Sequence, residues 1–263
     1  MWNILGFSAI GTSHIEAGTD CQDAHDIRLL NVGDSYGFAF AIADGAGSAK
    51  YSKEGALLAV QSLLDEIARP ELDPRCVEDP VAQEFFHRIR QKLVALAEES
   101  GIRVRDLSCT LLGGFVSRES AWFAQVGDGA CLYLSPEGYQ LATIPTNGEF
   151  ANQTTFLVSE NWAEVFQFKS VSGPVDAVAG FTDGLQHLVI RFSDNSVHEG
   201  FLDPLLRALR SQEAEKLRDP FRSFLSSERI NSRTDDDKTL MLACWRDTGS
   251  ASEREEESTS ATA

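Results

Sequence analysis

Phe38-Ala39-Phe40-Ala41-Ile42-Ala43-Asp44-Gly45 is an apolar run that stops on an aspartate and a glycine. Its length and aromatic content predict a buried strand. The pattern recurs at Trp122-Phe123-Ala124-Gln125-Val126-Gly127-Asp128-Gly129 and at Ala177-Val178-Ala179-Gly180-Phe181-Thr182-Asp183-Gly184. It is inverted in Asp235-Asp236-Asp237-Lys238-Thr239-Leu240-Met241-Leu242, where aspartates open a strand. One Asp-Gly after a strand is an ordinary turn. Four strand ends that each carry a carboxylate point elsewhere. A rigid strand end holds the carboxylate, and glycine lets backbone approach and offer its carbonyl. Hard divalent cations such as Mg²⁺ and Mn²⁺ take such oxygen ligands. Zinc is disfavoured, because neither HExxH nor a Cys/His cluster occurs. Two cations about 3.5–4 Å apart can share a carboxylate and activate a water between them, with no side-chain nucleophile.

Outward from these runs, residues 4–10 and 28–31 read as strands, with a turn at 31–34 before the strand at 36–43. Apolar residues at helical spacing over 52–69, ended by Pro70, predict a helix, and Asp79-Pro80 with Gly101 bound a second over 80–100. Residues 108–117, 121–126 and 130–135 read as an antiparallel meander. The stretch 143–163 is polar and irregular, a candidate flap. A strand at 177–182, helices near 200–212 and 220–228, and a closing strand at 239–245 complete the reading. Strands, then two long helices, then strands again predict an α+β fold with antiparallel sheet. No GxGxxG or GxxxxGK[ST] loop is present. We read residues 1–246 as one domain and the acidic Ser/Thr-rich 247–263 as a disordered tail.

The chain has 263 residues and a formal net charge of −17. Nucleic acid and anionic membranes are therefore unexpected partners. Five widely spaced cysteines without a CxxC pair read as reduced core thiols. No segment approaches 18 consecutive apolar residues, so the expectation is a cytoplasmic protein.

Six blocks in order carry a resemblance. They are Gly11-Thr12-Ser13-His14 with Gly18 and Cys21-Gln22-Asp23-Ala24; Ala43-Asp44-Gly45-Ala46-Gly47; Ser108-Cys109-Thr110; Val126-Gly127-Asp128; Phe181-Thr182-Asp183-Gly184; and Asp236-Asp237-Lys238-Thr239. The chain resembles the metal-dependent, 2C-type serine/threonine protein phosphatases, above all small stand-alone bacterial members. The resemblance implies a four-layer α-β-β-α sandwich of two antiparallel sheets flanked by helices, with two Mn²⁺ or Mg²⁺ ions at one end. It implies that Asp44 bridges both ions and the Gly45 carbonyl binds the second. Asp23 matches an acidic residue that binds or supports that second ion. Asp183 and Asp236 match ligands of the first, and Asp128 with Asp183 matches a weaker third site of some bacterial relatives. Thr110 matches a structural hydroxyl. The implied partners are phosphorylated proteins, the products of a serine/threonine kinase.

The chain departs from the family pattern at three places, one of them Gly47-Ser48, where the family often has two glycines. Where many members place a phosphate-binding arginine, this chain has Gly18. His14, in the same loop, is the nearest cationic candidate, as a phosphate contact or as a general acid to the leaving serine oxygen; packing or capping a turn is the bland alternative. Lys50 and Lys53 are lesser candidates, and His25 and His187 also lie beside ligand positions. Asp237 stands where asparagine is usual, which leaves Asp235, Asp236 and Asp237 open as ligand; the distance to Thr239 favours Asp236. The alternatives are a pseudophosphatase that binds without efficient turnover and an unrelated Mg²⁺-dependent phosphotransferase or nuclease.

Overall fold

The computed structural model describes residues 1–33, 35–146 and 154–246. Turn residue 34, residues 147–153 of the expected flap and the 247–263 tail lie outside them. Two five-stranded antiparallel sheets face each other. The first, in spatial order, holds β1 (Trp2–Ala9), β12 (Lys238–Trp245), β9 (Ala177–Phe181), β6 (Ala130–Ser135) and β7 (Gly138–Leu141). The second holds β2 (Ala24–Val32), β3 (Ser35–Ala43), β4 (Leu111–Val116), β5 (Ser120–Val126) and β8 (Gln167–Ser172). Helices α2 (Ser52–Ile67) and α3 (Asp79–Ser100) cover the second sheet, and α5 (Glu199–Ser211) and α6 (Ala214–Leu225) cover the first. Smaller elements are α1 (Thr12–Ala17), α4 (Gln186–Val189), α7 (Glu228–Asn231) and the pair β10 (Ile190–Arg191) and β11 (Ser196–Val197). No helix among the described residues is long and apolar enough to cross a membrane.

The alternation within β3 sets the layers. Phe38, Phe40 and Ile42 point between the sheets, beside Phe123, Val178 and Met241. Ala39, Ala41 and Ala43 point the other way, towards Ala56, Val60 and Leu63 of α2. Both faces are covered, so the strand reads as a continuous apolar run rather than apolar-in, polar-out. Bulky residues fill the inter-sheet layer, while alanines let the helix approach the sheet. Each fully buried aromatic there stabilises the fold by roughly 1.5–3 kcal/mol.

Register then gathers the strand ends. Ala24 opposes Ala43, so Asp23 and Asp44 leave the second sheet together. Ala130 and Leu240 both oppose Phe181, which brings Asp128, Asp183 and Asp236 to the same end.

The four-layer sandwich matches the expected architecture; the departures lie at its edges. Strand β2 starts at Ala24 rather than at 28, and β7 and β8 are additional. These are edge strands of half-exposed, mixed polarity, so alternation is weak there. Helix α1 falls where a loop is expected. It buries no side chain and has no side-chain cap, and its partners are remote in sequence. The described parts of 143–163 contain no strand, but both ends are pinned. Thr143 Oγ1 accepts the Cys131 N–H and donates to Gln125 Oε1, and the Leu157 N–H bonds the Cys109 carbonyl. All five cysteines are free; Cys109, Cys131 and Cys244 are buried, whereas Cys76 is exposed, against the core-thiol expectation.

Candidate metal centre

Carboxylate oxygens of Asp44, Asp128 and Asp183 all lie within 4.8 Å of one another. Each is fixed by its own backbone setting. The Asp44 N–H donates to Thr110 Oγ1 at 2.9 Å, and the Thr110 N–H returns a 2.8 Å bond to the Asp44 carbonyl. Thr110 is thus a structural clamp on the strand end. Gly45 fits where a side chain could not: a Cβ would lie 2.8 Å from the Gln22 carbonyl oxygen. The bonds that hold this loop come from its neighbours, including Ala46 N–H to Ser108 O. Asp128 sits in the Gly127–Gly129 crossing from one sheet to the other. Gln125, fully buried, donates to the carbonyls of Gly127, Gly129 and Ile144 and stiffens that crossing. The Thr154 hydroxyl donates to Asp128 Oδ2.

Asp23 is buried, and its Oδ2 accepts the hydroxyls of Thr239 at 2.7 Å and Thr182 at 2.9 Å. Its charge acts on Asp44, as do the charges of Asp183, Asp236 and Asp128. The Asp235–Thr239 segment divides its labour. Asp235 is exposed, and its carbonyl accepts Ser13 N–H and Ser13 Oγ–H. Asp236 Oδ1 accepts the Asp237 N–H at 2.8 Å. Asp237, only 2% exposed, accepts Gly11 N–H and Gln22 N–H, each at 2.6 Å. Lys238 is fully buried, and its ammonium donates to the carbonyls of Ile10 and Asp236. Asp237 is therefore occupied in holding the segment that contains α1; Asp236 is exposed and lies outside the three carboxylates that converge within 4.8 Å, though its charge acts on Asp44.

His14 lies on α1, its Nδ1 2.8 Å from Asp237 Oδ2, a charge contact rather than an aligned hydrogen bond. Its Nε2 lies on the side of Gly47, where a Cβ built on that glycine would come within 4.0 Å. Gly18 caps α1 in the left-handed conformation, φ 70°, with its N–H on the Ile15 carbonyl. The position matched to the family arginine is thus a glycine-favouring helix end. Lys53 is paired with Asp20 at 2.8 Å, and Lys50 lies over the Tyr51 ring, so neither is committed to the centre. His25 bonds Ser8 Oγ at 2.7 Å beside Gly6, and the exposed His187 ring meets Phe192 at a tilt of 59°; the structure brings neither into the carboxylate group.

The electrostatics fit a cation. Burial, then repulsion from its four acidic neighbours, raises the Asp44 carboxyl well above the usual range. Asp23 is pushed up to about 8 and Asp183 to about 7, burial again being the first cause. Asp128 is raised by burial against the opposing Thr154 bond. Asp236 is raised by burial, against the Asp237 N–H bond to its carboxylate. Oδ1 of Asp23, of Asp128 and of Asp183 is buried without a hydrogen-bond partner. An anionic oxygen in that state is costly unless it is protonated or meets a cation. The donor set is all oxygen, which suits Mg²⁺ or Mn²⁺.

Comparison with known proteins agrees. The family described as Protein phosphatase 2C matches residues 10–222. Serine/threonine-protein phosphatase 3 of Escherichia coli (strain K12) is 37% identical over 252 residues, 93% of this chain and 98% of that protein. A bacterial serine phosphatase crystal structure superposes with a TM-score of 0.63 at 16% identity, covering 94% of this chain and 100% of that one. PppA of Pseudomonas aeruginosa, described as a key regulatory component of T6SS, gives 0.61 at 16% identity over 92% and 97%. The chain belongs to the protein phosphatase 2C family.

Proposed function

We propose that this protein hydrolyses phosphoserine and phosphothreonine on proteins, with two Mn²⁺ or Mg²⁺ ions as cofactors. The convergence of Asp44, Asp128 and Asp183, with buried, unpartnered oxygens on Asp128 and Asp183, is the observation that carries the reading. Asp44, Asp183 and Asp236 would hold one ion, and Asp44, the Gly45 carbonyl and Asp23 the other; Asp128 with Asp183 would hold a weaker third. Such ions supply an acidified water and offset phosphoryl charge. The chain's own part is positioning. Thr110 fixes the Asp44 backbone, Thr182 and Thr239 aim Asp23, and Gln125 holds the Asp128 crossing. His14, backed by Asp237, serves the phosphate side, as a contact or as the acid that protonates the leaving serine oxygen. The substrates are products of a serine/threonine kinase, and the working domain is residues 1–246.

The test is turnover. The purified protein, with Mn²⁺ added, should release phosphate from a phosphoserine peptide and from p-nitrophenyl phosphate. A folded protein inactive with every divalent metal sinks the proposal; Mn²⁺ binding without turnover would instead make the chain a pseudophosphatase.

A further inference from the structure

A second site lies outside the aspartate group. A cleft of about 300 Å³ opens between α4, the start of α5, the end of α6 and α7. Its lining includes His187, His198, Arg229 and Arg233, with Phe201 and Phe224 among its apolar walls. No aspartate or glutamate lines it among the described residues. That is unexpected in a chain of formal charge −17. Some arginines are neutralised locally, as Arg88 is by Glu66 and Glu84 and Arg246 by Glu213, while others, such as Arg207 and Arg222, carry no ion pair among the described residues. Arg229 and Arg233 have no such ion pair among the described residues, and both are exposed.

Chain tracing puts the cleft at the metal end of the sandwich. Asn3 opposes Cys244, far from the Ala9–Lys238 end of that ladder. Its Nδ2 donates to the Leu209 and Gln212 carbonyls, so α5 finishes at the far end and starts at the metal end. Helix α6 departs from the same far point, Ala214 N–H bonding Asn3 Oδ1, and returns. Arg233 precedes Asp236 by three residues, and His187 follows Asp183 by four. Chain spans of that length reach about 10–14 Å at most.

We propose that this cleft binds a second phosphate group carried by the phosphoprotein substrate, about three to five residues from the one being removed. The inference rests on the phosphatase reading above. Guanidinium groups take phosphate bidentately, and imidazoles add donors at the rim. In a chain of net charge −17, a cleft lined by two arginines and two histidines and by no carboxylate favours an anion.

The test compares three substrates with the full chain and Mn²⁺: p-nitrophenyl phosphate, a phosphoserine peptide, and the same peptide with a second phosphoserine four residues away on either side. The doubly phosphorylated peptide should show a KM about tenfold lower than the singly phosphorylated one. R229E/R233E should abolish that advantage and leave p-nitrophenyl phosphate turnover unchanged; the milder R229Q/R233Q should abolish part of it. Equal KM values in the unmodified protein, or an advantage that survives R229E/R233E, overturn the proposal. Imidazole NMR reads the cleft without turnover. On adding inorganic phosphate at fixed pH and ionic strength, the His187 and His198 signals should shift saturably, and should not in R229E/R233E. Absence of the shift overturns the site, and a shift without any peptide preference overturns its role in substrate binding. If no substrate is hydrolysed, the phosphatase reading falls, and the histidine signals still decide whether the cleft takes anions.

Discussion

His14 Nδ1 lies 2.8 Å from Asp237 Oδ2, so the loop that lacks the family arginine meets the aspartate that replaces its asparagine. A histidine on the arginine-deficient loop and an aspartate where asparagine is usual form one unit. Asp237 also anchors that loop through Gly11 and Gln22. One carboxylate thus sets both the position of α1 and the surroundings of its histidine.

Asp237→Asn tests this unit. The amide keeps one acceptor oxygen and turns a donor towards the other backbone N–H. The expected loss of stability is about 1–3 kcal/mol, read from urea midpoints. His14→Ala should cost less stability and act on the reaction: a raised KM marks a phosphate contact, and a lowered kcat marks an acid. Unchanged kcat and KM would remove His14 from the mechanism.

Gly18→Arg restores the family's residue type but not its setting. At φ 70° a side chain is strained, and a Cβ there meets nothing within 4 Å. Stability should fall by about 1 kcal/mol, with no gain in kcat/KM on a phosphopeptide. A large gain would show that α1 rearranges to accept the arginine.

The metal-free protein should lose stability as pH rises. Asp23 at about 8 and Asp183 at about 7 stand above the ordinary unfolded value. Groups raised in this way bind protons more tightly when folded. Their stabilising effect is complete below about pH 4 and fades as pH climbs to about 8. Melting temperature in EDTA should therefore fall between pH 5 and 8, by roughly 2–4 °C for each kcal/mol lost. Mn²⁺ should reverse the trend, with its largest effect at pH 8, where protons no longer compete. A metal-free melting temperature that rises from pH 5 to 8 would contradict the assignment of these carboxylates.

Asp44→Asn separates function from fold. It removes the charge at which four other carboxylates converge. Turnover should fall to background, while the metal-free variant melts higher than the unmodified protein at pH 8. Calorimetry with Mn²⁺ should show weakened or lost binding. A variant that retains full activity would rule out Asp44 as a bridging ligand.

The aspartates and their strands were legible in the sequence because each strand is buried on both faces and ends abruptly. Phe38 to Ala43 could be read as a strand, but not which alternate residues face α2. Helix α1 was hidden, since its anchor, Asp237, lies more than two hundred residues away. The hydroxyls that aim Asp23 are equally remote, Thr182 at 159 residues and Thr239 at 216. No local pattern marks such partners, nor the buried amide of Gln125 beneath Asp128. Lys238 reads as a surface residue by type, and only the carbonyls of Ile10 and Asp236 explain its burial.

Strand β12 pairs with β1 on one side and β9 on the other, and β1 has no other strand partner. During synthesis β1 precedes its partner β12 by nearly all of the described fold and must wait for it before docking. Until then Asp23 lacks the Thr239 hydroxyl, α1 lacks its anchor, and Asp236 is absent. A chain cut before Asp236 and β12 lacks these three contributions to the proposed centre. Strand β12 thus joins the assembly of the proposed centre to the closure of the first sheet.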